Sequence, residues 1–170
     1  MKAVSYYYKV ILILIPAYFL CHFSCTPSRE EARIYATRVT DAVDTVIKSE
    51  QALMLSFKSN DSVLVSKAGE AFLSVVNNCL DSLEAIGTYY ENSQLKLKAF
   101  QLLRVYKKLA TSDYKAMMAI VSLEHADYTK DKEEEFLALQ KKSDMEVNSR
   151  IAEFLNVRAK FEEENGLEPE

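Results

Sequence analysis

The sequence predicts an all-α protein: an up-down-up-down antiparallel four-helix bundle that follows an N-terminal signal segment. Three observations predict it. From Ser28 to Asn165 there is no proline, and only Gly69 and Gly87 interrupt as glycines. Apolar residues recur there every three to four positions, the period of one helix face, and no alternating strand pattern occurs at any length. Short clusters of Ser, Thr, Asn and Asp divide the stretch into four long segments, and connections this short make consecutive helices antiparallel neighbours. The apolar repeat of about 3.5 residues suits the shallow crossing of a left-handed bundle.

The first helix is expected to start at Ser28. Ser28 and Glu31 have the capping-box spacing, in which each side chain satisfies a free backbone N–H at the helix start. Its stripe runs Ala32, Tyr35, Val39, Ala42, Val46, Leu53 and Phe57, and Ser59-Asn60-Asp61 breaks it. Asp61 or Ser62 caps the second helix, whose stripe is Val65, Ala68, Phe72, Val75, Cys79, Leu83 and Ile86, with Gly87 as its stop or Tyr89 and Tyr90 extending it another turn. Asn92-Ser93 restarts the chain.

The third helix shows Leu95, Ala99, Leu102, Tyr106, Leu109, Ala116, Ile120 and Leu123. Thr111-Ser112-Asp113 interrupts that stripe and predicts a kink, because these side chains compete for backbone hydrogen bonds. Asp131 and Glu134 repeat the cap spacing for the fourth helix, with Phe136, Leu139, Val147, Ile151, Phe154 and Phe161 as its stripe. Glu162-Glu163-Glu164 places negative charge at the wrong end of that helix for its dipole, so fraying is expected near Asn165. Asn165-Gly166-Leu167 supplies a left-handed stop followed by an apolar residue, with Pro169 beyond.

The front of the chain is different in kind. Lys2 and Lys9 form a positive region, Val10 to Leu20 is almost unbroken apolar sequence, and Phe23-Ser24-Cys25 closes it. This order resembles a bacterial lipoprotein signal, which is cut before a cysteine already joined to diacylglycerol. The resemblance implies that 1–24 is the signal peptide, that Cys25 is the lipidated first mature residue, and that 25–28 is a tether. The bundle then occupies 29–167, and 168–170 is a tail. His22 departs from the aliphatic residue usual three positions before the cut. An ordinary secretory signal wants small residues there and just before the cut. An uncleaved helix over Ala3 to Cys25 is interrupted by Lys9 and Pro16. Several acyl chains make attachment persistent where one does not.

Composition narrows the function classes. A chain of this length buries roughly 68–70% of its unfolded surface, enough for a core without covalent staples. After Cys25 only Cys79 remains, among Val75, Val76 and Leu83, where it reads as a small buried hydrophobe. Thr26 to Ala126 holds 12 acidic and 12 basic residues, whereas Asp127 to Glu170 holds 13 and 7. No basic excess points to nucleic acid.

Bundles often carry metals, but di-iron bundles need Glu-x-x-His pairs, and position 122, three before the lone mature histidine His125, is Ser. His125 reads as a surface residue near the end of the third helix. Asp127, Thr129, Asp131 and Glu133 alternate oxygens as a calcium loop does, yet lack its turn glycine and closing glutamate. They read as a solvated turn with a helix cap. No nucleophile–base pair and no phosphate-binding loop stands out, so neither an enzyme nor a cofactor is expected.

The mature chain also looks like a group of small helical surface lipoproteins of spirochaetes and related Gram-negative bacteria, whose function is undefined. The similar elements are the spacing from Phe100 to Tyr106, then Ser112-Asp113-Tyr114 with Met117 and Ile120, and the ending Phe154-Leu155, Phe161 and Gly166-Leu167-Glu168. This resemblance implies an envelope location and a helical fold, and it transfers no catalytic residue.

The expected protein is therefore a lipoprotein of the bacterial envelope, anchored at the outer membrane, whose bundle serves as an interaction or structural module. The alternative is a lipid-tethered carrier of a small apolar ligand held in the bundle interior. The membrane, through the anchor, and an unidentified protein are the expected partners. In the bundle, the start of the first helix, the turn between the second and third, and the C-terminus would share one end. Tyr89 and Tyr90 at that end would either face lipid headgroups or plug the bundle.

Overall fold

A computed structural model describes residues 28–59, 61–87, 89 and 94–168. Cys25 with the expected signal segment, and Tyr90, lie outside the described residues. All regular structure among those described is helical: α1 (Arg29–Ser56), α2 (Ser62–Ala85), α3 (Gln94–Thr111), α4 (Asp113–Val121) and α5 (Lys130–Glu164). No described helix is long and apolar enough to cross a membrane.

Local chemistry sets most of the boundaries. The Ser28 backbone N–H donates to Glu31 Oε2 at 2.8 Å and the Glu31 N–H to Ser28 Oγ at 3.2 Å, which completes the capping box. Asp61 Oδ1 accepts from the N–H groups of Val63 and Leu64 and starts α2. At the close of α2 the Lys96 ammonium donates to the Ile86 carbonyl, placing positive charge where the helix leaves carbonyls unpaired. The last helix begins two residues before the expected Asp131 cap. Thr129 accepts from the Lys132 N–H at 3.4 Å, so Asp131 lies inside the first turn, where its charge suits the dipole.

The predicted kink is a full break, so the third helix of the sequence is two helices, α3 and α4. Thr111 Oγ1 donates to the Lys107 and Lys108 carbonyls, and Ser112 Oγ donates to the Lys108 carbonyl. Ser112 takes φ −124° and ψ −92°, outside the helical region. The hydroxyls thus occupy carbonyls that a continuing helix would use.

α1 packs on α2 and α3, α2 also meets α3 and α4, and α5 lies on α3 and α4. The core is built from the predicted stripes: Ala32, Val39, Val46 and Leu53 of α1 meet Phe72, Val76 and Leu83 of α2 and Leu95, Leu102, Leu103 and Tyr106 of α3. Cys79 belongs to this core, and burial pushes its thiol pKa up. Gly69 lets α2 approach α4, since a Cβ there would collide with the Met118 sulfur. Leu123 is the exception among the predicted stripes; it lies past the end of α4, in an exposed turn.

One end of the molecule is closed by rings from three distant segments. Tyr89 stacks on Tyr35 at 4.9 Å and meets Phe161 edge-on at 5.2 Å, and its hydroxyl donates to Asn165 Oδ1 at 3.0 Å. Tyr89 therefore plugs the end. The terminus of α5 is tied rather than frayed. Leu167 N–H donates to the Glu162 carbonyl at 2.8 Å and Gly166 N–H to Glu163 at 3.1 Å, with Gly166 at φ +61°, a Schellman stop. Arg158 and Lys160 pair with Glu162 and Glu164, so cations one turn back offset the misplaced acids.

Candidate functional site

α1 and α5 are the two long helices whose backbones do not pack closely. They meet mainly through rings, Tyr35 against Phe161 at 5.8 Å near one end and Phe57 edge-on to Phe136 at 5.7 Å near the other. Between them runs a seam. Toward the start of α1 it holds a charged groove lined by Arg29, Arg33, Asp41, Asp44, Arg158 and Glu162. Toward the end of α1 it opens into a larger groove of about 720 Å³. That volume is of the size that holds small molecules.

The walls of the larger groove are apolar: Ile47, Met54, Leu55 and Phe57 from α1 and its C-cap, Phe136, Val147 and Ile151 from α5. Its polar groups are Glu50, Gln51, Gln140, Asp144 and Asn148, with Lys58 just past the end of α1. Glu50 is the central one. Its carboxylate accepts from the Tyr106 hydroxyl at 2.9 Å through Oε2 and from the Tyr114 hydroxyl through Oε1. Both tyrosines are almost wholly buried, and Phe72 fills the space between their rings, at 6.0 Å from Tyr106 and 5.8 Å from Tyr114.

The break at Ser112 helps to make this arrangement. Residues eight apart on a continuous helix point about 80° away from each other. With the helix interrupted between them, Tyr106 and Tyr114 deliver both phenols to one carboxylate. Electrostatics follow from burial. Desolvation raises the Glu50 pKa above the ordinary carboxylate value, the two phenol bonds hold it down, and the Asp144 charge pushes it up again. Both phenol pKa values are driven far up, first by burial and then by the Glu50 charge. These tyrosines stay protonated and act as fixed donors.

The sequence-level candidates fall elsewhere. Cys25 lies outside the described residues. Cys79 is buried in the α1–α2 core, and His125 is exposed in the turn four residues beyond α4 rather than on a helix end. Of the oxygen series, Thr129 serves as the α5 cap, and Asp127, Asp131 and Glu133 are exposed. Among the described residues no three His, Cys, Asp or Glu side chains converge as a metal site would need. The bundle interior is filled by fully buried side chains such as Phe72, Leu102 and Leu103, and the groove of about 720 Å³ lies on the seam.

Sequence reasoning passed over Glu50, although a signal was present. Glu50 falls between Val46 and Leu53 on the apolar stripe of α1, at the spacing of a core position, and positions 46, 47, 53 and 54 offer no cation. A carboxylate so placed needs hydrogen-bond donors from another element. No significant match to a family model, a characterised protein or a solved structure is found for this chain.

Proposed function

We propose that this protein is a lipoprotein of the bacterial envelope, held at the outer membrane through Cys25, and that its helices form an up-down-up-down bundle acting as a non-catalytic interaction module. Lys2, Lys9, the apolar run to Leu20 and the Ser24-Cys25 junction support the anchor, as does the resemblance to small helical surface lipoproteins. The topology is supported by paired charges. Lys98 meets Glu153 and Lys108 meets Glu146, so α3 ascends as α5 descends. Thr26-Pro27-Ser28 spans only about 10 Å, which keeps the Tyr35–Tyr89–Phe161 end beside the bilayer.

The open seam between α1 and α5 carries the interaction reading. Two long helices leave a face that no other described helix lines, and exposed Leu55 borders it. Two measurements test the two parts. Mass spectrometry of protein from native envelopes should find diacylglycerol on Cys25 as the first residue; an intact, unmodified Met1 start would overturn the anchor. A photo-crosslinking residue at Leu55 should capture a partner in cells while one at Val63 on α2 does not. Equal or absent capture at Leu55 rejects the seam as a docking face.

A second reading, a tethered carrier of a small ligand, is favoured by one observation, the groove of about 720 Å³ beside Glu50. In this reading the ligand lies along the seam.

A further inference from the structure

We propose that the groove beside Glu50 binds an organic amine, its ammonium between the carboxylates of Glu50 and Asp144 and its alkyl or aryl body along Ile47, Met54, Phe136 and Ile151. The proposal rests on the carrier reading of the groove and names the chemistry of the ligand.

Charge argues for a cation. Among the described residues neither Glu50 nor Asp144 forms an ion pair with a lysine or arginine. Lys58, past the end of α1, also lines the groove but is exposed and pairs with neither carboxylate. Lys141, three residues before Asp144, is exposed and lies outside the lining. The two carboxylates repel each other, and an ammonium placed between them removes that repulsion.

Hydrogen-bond capacity argues for a donor. A carboxylate has about four acceptor positions, and the two phenols take one on each oxygen of Glu50. The phenol protons are thereby committed, so at Glu50 an incoming group meets acceptors and no free donor. A primary ammonium brings three donors and no acceptor, the complement of that arrangement. Burial then strengthens the pair, because charge-assisted bonds gain where water is partly excluded. The apolar walls reject a small hydrated cation in favour of one with a hydrocarbon body.

Calorimetric titration of the full chain in lipid nanodiscs, corrected with empty discs, tests this with 4-phenylbutylammonium, its neutral analogue 4-phenylbutanol and the anion 4-phenylbutyrate. The ammonium should bind saturably and the alcohol about tenfold or more weakly, the span expected from one lost charge-assisted bond. Glu50→Gln and Asp144→Asn should each weaken the ammonium about tenfold while leaving the alcohol unchanged. Asp144 is exposed, so its variant keeps the fold even if the Glu50 change loosens it. Phe136→Ser should weaken amine and alcohol together. Equal binding of alcohol and ammonium would overturn the amine proposal and leave the carrier reading standing. Failure of all three probes to bind overturns both.

Discussion

The two ends of the seam between α1 and α5 are built from the same helices and reach opposite outcomes. Near the start of α1 and the end of α5, Tyr35, Tyr89 and Phe161 pack within 6 Å of one another and clasp the two helices beside the charged groove there. Around Glu50 the facing residues include Gln51, Gln140, Asp144 and Asn148, and the helices stand apart over a groove of about 720 Å³. The difference lies in what each side chain needs. Aromatic rings gain by excluding water and by edge or offset contact with one another. Carboxylates and amides facing one another across a gap stay hydrated unless donors reach them, and only Glu50 receives two buried donors. One end is thus clasped by rings beside a charged groove, and the other is a larger groove with apolar walls around a buried carboxylate.

Breaking the clasp should have the largest effect. Phe161→Ala removes a buried ring from the Tyr35–Tyr89 stack and should cost about 3 kcal/mol of stability, read from urea unfolding, while ligand affinity at the other groove is preserved. Glu50→Ala should cost about 2 kcal/mol, because it leaves the buried Tyr106 and Tyr114 hydroxyls without their acceptor. If that loss is absent, the carboxylate does not hold α1 to α3 and α4.

The smallest effect is a change of slope with pH. Burial lifts the Glu50 pKa in the folded protein above its unfolded value near 4.5. The folded state then holds the proton longer, so this contribution is complete below pH 4.5 and is lost as pH rises through the raised folded value. Glu30 and Glu153 act in the opposite sense and in a different window. Arg33 and Lys98 lower their pKa values, so their contribution is present above pH 4.5 and falls away as pH drops below it. Stability measured across pH 3 to 8 should show a decline above about pH 4.5 that Glu50→Gln abolishes, with the acid limb unchanged. A wild-type profile flat above that point would mean the phenol bonds fully offset the cost of burying the charge.

Where the sequence was legible, the interactions were short in range. The Ser28–Glu31 box, the Asp61 cap, the Ser112 interruption and the Gly166 stop each join residues within five positions. Most of the stripe residues of α1, α2 and α3 line the core as their spacing predicted, Leu123 excepted. The start of α5 was missed by two residues because Thr129 and Asp131 both carry a capping oxygen, and local pattern does not rank them. The fraying expected at its end is countered by Arg158, Lys160 and Tyr89, the last of which lies far away in sequence.

Period and punctuation by themselves determined that this chain is helical, where α1 and α2 begin, and which face of most helices turns inward. Only tertiary packing decided that α1 and α5 stay apart, that Tyr89 closes an end, and that Glu50 gathers two phenols from 56 and 64 residues away. The reason is one of range. Helix formation is governed by neighbours three and four residues apart, whereas a groove depends on which separate helices meet and on the side chains left over when they do.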